Sequence, residues 1–157
     1  MGTSTNAVLA YGYNLGGSES EWAVHEAGEY GELNLDWHGE EAEEGFAEAA
    51  EARLLAEIAG FTERWGDNPD GKYWERHGAA KSRLGVELES YCHSEYPMYL
   101  LATKVITVHR GDAEVLDLKA LTDTPPEWDE RLAAAVAALG ITPKQERPGW
   151  VLVSYWG

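Results

Sequence analysis

Residues 86–109 read VELESYCHSEYPMYLLATKVITVH. The first seven alternate Val86, Leu88 and Ser90 against Glu87, Glu89 and Tyr91, the period of a strand. HSEYP then turns the chain. Residues 98–109 are long, β-branched and nearly free of charge, which predicts a central strand. Two such strands joined by a short turn make an antiparallel pair, and the rest of the chain is read around that pair.

Upstream, residues 7–13 (AVLAYGY) read as a strand that NLGGS breaks. Residues 31–37 (GELNLDW) alternate Leu33, Leu35 and Trp37 with Glu32, Asn34 and Asp36, the pattern of a half-buried strand. Residues 40–59 read as a helix, with Phe46, Ala50, Leu54, Leu55 and Ile58 on one apolar stripe and Gly60 as its stop. A turn-rich connector at 65–71 leads to a second helix over 71–84, with Tyr73, Trp74, His77, Ala80 and Leu84 at helical spacing and Gly85 at its end.

Downstream, Arg110–Gly111–Asp112 is a tight turn and residues 114–118 form a short strand or extended segment. The last helix carries Thr124 as N-cap, Pro125 at its first position and Glu127 three residues after the cap. Trp128, Leu132, Ala135, Val136 and Leu139 form its stripe, and Gly140 closes it. Residues 150–156 (WVLVSYW) make a final strand. Both of its faces are largely apolar, so a face left uncovered within one copy predicts a homodimer or a protein ligand. The expectation is a single α+β domain over 1–157: a mostly antiparallel sheet of about five strands, with three helices packed mainly on one face.

The chain has 157 residues and a net charge of −16, with 44% hydrophobic and 25% charged residues. Those fractions are globular. The charge is uneven: residues 1–60 hold 13 acids and one base, whereas residues 61–110 hold seven of each. Such a chain is repelled by nucleic acid phosphates and by anionic membranes, so neither is an expected partner. No apolar run is long enough for a transmembrane helix. The start, MGTSTNAVLAYGYNLGG, has no basic leader, and MGTSTN lacks the Ser or Thr that myristoylation favours at residue 6. With Cys92 as the lone cysteine, these features place the protein in the cytoplasm.

Few motifs point to chemistry. AYGYNLGGS (10–18) is a strand and a glycine-containing loop, but it lacks the lysine of a phosphate loop and the spacing of a dinucleotide fingerprint. His25, His38, His77, His93 and His109 are scattered, and Cys92–His93 is contiguous, unlike zinc ligand spacing. No metal and no cofactor are expected. A G-x-S-x-G elbow is absent. The C-terminal aromatics Trp150, Tyr155 and Trp156 have no basic groove to make them a stacking platform.

The acidic segment is the informative one. Residues 37–52 read WHGEEAEEGFAEAAEA, with six glutamates before the first base, Arg53. Glu41, Glu44, Glu48 and Glu51 form one helical stripe flanked by Glu40 and Glu43. A helix N-terminus favours such acids by about 0.3–1 kcal/mol each. Like charges at i,i+3 and i,i+4 oppose that by a few tenths of a kcal/mol per pair, on the order of the gain from a favourable pair. Lysines usually relieve this repulsion, and the segment has none. Solubility accounts for part of the pattern. A binding face accounts for the rest: Glu40, Glu41, Glu43, Glu44, Glu48 and Glu51, joined by Glu19, Glu21, Glu26, Glu29 and Glu32, would meet a basic protein or imitate a row of phosphates.

The strand and loop at 10–18 resemble the segment that opens the gamma-glutamylcyclotransferase fold, whose motif runs close to Y-G-S-L. Here Tyr13 stands for the serine and Asn14 precedes the leucine. That resemblance implies a catalytic acid on a later strand, for which Glu87 and Glu89 are available. The opening AVLAYGYNLGG and closing PKQERPGWVLVSYWG resemble a family of small uncharacterised acidic proteins of actinobacteria and their phages. That resemblance implies a bacterial or phage accessory protein and supplies no catalytic residue. The leading expectation is a non-enzymatic, regulatory or inhibitory binding protein that docks on a nuclease, a nucleic-acid-binding protein or a toxin. The alternative is a small enzyme with Glu87, Glu89, Tyr91 or His93 as acid–base groups in a cleft.

Overall fold

In order along the chain come β1 (Thr5–Gly16), α1 (Phe46–Ala59), α2 (Tyr73–Leu84), β2 (Glu87–His93), β3 (Pro97–His109), α3 (Leu118–Thr122), α4 (Pro126–Leu139) and β4 (Gly149–Trp156). The computed structural model describes residues 5–17, 21–39 and 42–157. The fold is α+β, with four strands among the described residues rather than five. β3 is central as expected, pairing antiparallel with β1 on one side and β2 on the other. β1 also pairs antiparallel with β4. β4 meets β2 in parallel at Cys92–Tyr155 and His93–Trp156, which closes the sheet into a small barrel in the order β1-β3-β2-β4.

Closure explains the missing strand. Every strand has a neighbour on both sides, so residues 31–37 find no free edge. They run instead as a turn-rich wrap, held by isolated pairs Ala27–Leu33 and Leu35–His38. Their alternation is still used: Leu33 is buried and Trp37 donates its indole N–H to the Leu139 carbonyl at 2.8 Å.

Two apolar clusters flank the sheet. Inside the barrel lie Val8, Ala10, Tyr91, Leu100 and Ala102, with Val151 and Val153 against them. On the outer face Tyr11, Leu15 and Leu101 meet Leu54 and Leu55 of α1 and Leu132, Ala135 and Leu139 of α4. The helices therefore pack on the outer face of the sheet. A Cβ on Gly12 would run into the carbonyl oxygen of Leu101, at the point where the β1–β3 register shifts past Thr103. Tyr11 anchors α4 by donating to Asp129 Oδ1 at 2.7 Å. Arg53 Nε donates to the Ala138 carbonyl at 3.0 Å, near the negative end of α4. The outer side of β4 is not covered along its length: Leu152 is 73% and Trp156 53% exposed.

Three boundaries differ from expectation. The first helix begins at Phe46, after Gly45 as N-cap, rather than at residue 40. Gly45 is a poor helix former, and the acids before it repel one another. Of the two readings of residues 114–118, the strand does not form, and the segment ends where Leu118 opens the short α3: Asp117 accepts from the backbone N–H groups of Lys119 and Ala120 and so caps it. The cap of α4 is Pro125, not Thr124, with no side-chain hydrogen bond. Pro126 pushes Pro125 into an extended conformation (ψ 138°), so the helix starts one residue late and the capping box with Glu127 does not form.

Candidate functional site

The acidic segment divides in two. Glu40 and Glu41 lie outside the described residues. Glu43, Glu44 and Glu48 are exposed, and among the described residues none of the three is ion-paired. Glu51 is different. Lys81 Nζ lies 3.2 Å from one of its oxygens and His77 Nε2 lies 3.5 Å from the other, both from α2. Arg53 pairs with Glu57 at 3.3 Å one turn on. The stripe that has no lysine in sequence thus acquires one in space, at its C-terminal half only.

Phe46 fixes where the free acids stand. Its ring packs 4.8 Å from Trp22, 5.1 Å from Tyr99 and 5.9 Å from Trp37 (centroid distances). These contacts bring the wrap of residues 21–39 against the start of α1. The acids of that wrap do not all remain free. Glu26 accepts from the Thr142 backbone N–H at 2.8 Å. Burial would raise the pKa of its carboxyl, but the hydrogen bonds from Thr142 override this and hold it below its ordinary value. Glu32 accepts from the Tyr30 N–H at 3.0 Å. Glu21 and Glu29 stay exposed and Glu19 lies outside the described residues.

Beside the stripe is a groove of about 640 Å³ between α1, the connector and α2. Glu44, Glu48 and Glu51 line one side. Phe61, Tyr73, Trp74 and His77 line the other. The aromatic side is continuous: Tyr73 lies 5.0 Å from Trp74 and 5.7 Å from Phe61, and Trp74 lies 5.4 Å from His77. Trp65 extends it, 5.6 Å from Trp74. Trp74 and Trp65 are 63% and 59% exposed, so two indoles stand in water next to carboxylates. The connector that places Trp65 is pinned by Arg76, whose guanidinium contacts Glu63 and Asp70, each at 2.8 Å. That hydrogen bonding to Arg76 holds the Asp70 carboxyl below its ordinary pKa. The groove was not legible in the sequence, where Trp74 counts as part of an apolar stripe; the available signal was a pair of tryptophans flanking WGDNPDGKYW.

Glu87, Glu89, Tyr91 and His93 alternate along β2 without forming a common site. Glu87 is exposed, and burial followed by the charge of Glu87 raises the pKa of Glu89. Tyr91 is buried and donates to Asn14 Oδ1 at 2.7 Å. His93 Nδ1 accepts from the Glu95 backbone N–H and its ring lies 4.8 Å from Trp156. A cavity of about 560 Å³ where β2 and β4 diverge takes in Tyr91 and Cys92 but not the other three. Glu87 borders a separate cavity of about 360 Å³ beside α2.

Of the loop expected at 14–18, Ser18 lies outside the described residues and residues 14–16 are strand, since β1 runs on to Gly16. Its amides are already used: Asn14 N–H donates to Gln145 Oε1 and Gly16 N–H to Asn14 Oδ1, each at 3.0 Å. Among the described residues no three His, Cys, Asp or Glu side chains group to hold a metal, and no helix is long and apolar enough to cross a membrane. Comparison with protein-family models, with curated proteins and with solved structures finds no match to this chain.

Proposed function

We propose that this is a non-enzymatic binding protein whose acidic face docks on a basic protein surface. The observation that carries the reading is the split of the stripe. Glu51 and Glu57 are neutralised within the fold, while Glu43, Glu44 and Glu48 stand exposed without a cation among the described residues. Self-repulsion at the start of α1 is left for a partner to relieve. A nuclease, a nucleic-acid-binding protein or a toxin offers the matching charge, and docking there would block its nucleic acid site by sterics and like charge. The single Cys92 suits a reducing cytoplasm.

Such docking depends on ionic strength, because exposed charges are screened within about 10 Å at 0.1 M salt. The test is capture of basic proteins from bacterial lysate at low and high salt, with wild type and a variant carrying Glu43→Lys, Glu44→Lys and Glu48→Lys. Retention that is lost in high salt and in the variant supports the reading. Retention that survives the charge reversal, or no basic protein retained, defeats it.

A further inference from the structure

We infer that the groove beside α1 receives an arginine side chain of the basic partner. This rests on the docking reading above and adds which basic group enters and where. Four carboxylates (Glu44, Glu48, Glu51 and Glu63) line the groove; Lys81 and Arg76 already pair with Glu51 and Glu63, so among the described residues the unpaired acids are Glu44 and Glu48, against one guanidinium, Arg64. Charge therefore selects a cation. The opposite wall adds a second, independent selection, since the exposed Trp74 indole, backed by the buried Tyr73 ring, offers a π face.

An aromatic face attracts either cation, but arginine answers both walls at once. Its planar guanidinium stacks on an indole while its N–H fork meets a carboxylate, and it sheds water more easily than an ammonium does. Lysine offers a point charge that the carboxylates hold and the indole orients less well. The fold already holds one guanidinium nearby between carboxylates, with Arg76 forked between Glu63 and Asp70. Arg64 also lines the groove and makes no ion pair among the described residues.

The probes are a short glycine–arginine peptide and a glycine–lysine peptide of equal length and charge, titrated at low salt and followed by tryptophan fluorescence and calorimetry. The arginine peptide is expected to bind about two- to fivefold more tightly than the lysine peptide. Trp74→Ala is expected to abolish the preference while both peptides keep binding. Trp74 is 63% exposed, so its removal leaves the core intact, which the thermal midpoint verifies. Glu44→Gln with Glu48→Gln is expected to weaken both peptides alike. Equal affinity for the two peptides, or a preference that survives Trp74→Ala, overturns the inference and leaves the docking face standing. Failure of both peptides while lysate proteins are still captured does the same. Failure of both assays removes the groove and the docking reading together.

Discussion

The phenol of Tyr91 donates to the side-chain oxygen of Asn14 at 2.7 Å, across the inside of the barrel. It joins β2 to β1, two strands that share no ladder, since each is flanked by β3 and β4. Asn14 Oδ1 also accepts from the Gly16 N–H, so one oxygen ties the far strand to the end of β1. A hydroxyl held this way is a structural strut.

Tyr91→Phe is expected to cost about 1 kcal/mol, the net worth of one hydrogen bond, because Asn14 keeps its backbone donor. Asn14→Ala should cost more, since it strands both the phenol and the Gly16 amide. Urea denaturation of the singles and the double gives the coupling between them. Additivity of the two changes would show that the strut contributes nothing.

Gly12→Ala is expected to be among the most damaging single-methyl changes in the chain. The added Cβ meets the carbonyl of Leu101, a backbone atom in the central strand that has no room to turn away. Overpacking of this kind costs about 3 kcal/mol or more. For a domain of this size that lowers the thermal midpoint by roughly 6–12 °C. An unchanged midpoint in calorimetry would refute the close approach of β1 and β3.

Glu89 gives the fold a pH signature. Burial and then the neighbouring Glu87 raise its pKa above the ordinary value of 4.5. The folded state therefore binds more protons than the unfolded state between the ordinary and the raised pKa. Stability from this group is fully present below 4.5 and is lost as pH rises through the raised value. Glu89→Gln should thus stabilise the protein at neutral pH and make no difference below the ordinary carboxylate range. Thermal midpoints of both proteins across that range check this. A Gln variant less stable at neutral pH would mean that the carboxylate is used in its charged form.

Part of what could be read locally holds, although the starts of α1 and α4 and the end of β1, equally local, were misplaced. The β-branched run of β3, the stripe of Leu132, Ala135 and Leu139, and the stops at Gly60 and Gly140 all depend on near neighbours in sequence. The rest of what escaped depends on distant parts of the chain. Closure of the sheet rests on β2 meeting β4 in parallel at Cys92, which adopts an unusual positive φ of 74° there. No periodicity encodes that meeting, and it removed the edge that residues 31–37 needed. The neutralisation of Glu51 likewise comes from α2, across a turn-rich connector. The groove escaped for the same reason: Trp74 shares helical spacing with buried Tyr73 and Ala80, yet it faces water.

The docking face depends on a residue that carries no charge. Phe46 is 7% exposed and sits among Trp22, Trp37 and Tyr99, two residues after the free acids Glu43 and Glu44 end and two residues before Glu48. Phe46→Ala is expected to cost about 3–5 kcal/mol. It should also alter the near-ultraviolet circular dichroism, because two indoles lose their packing partner. Phe46→Leu keeps most of the volume and should cost less than about 1.5 kcal/mol. If binding needs the acids held in place, Phe46→Ala weakens capture at temperatures where the variant is still folded, and Phe46→Leu restores it. If capture needs only negative charge, both variants bind like wild type. Leu152→Ser on the uncovered face of β4 serves as the control. At 73% exposure it should change stability by no more than about 0.5 kcal/mol, and capture not at all.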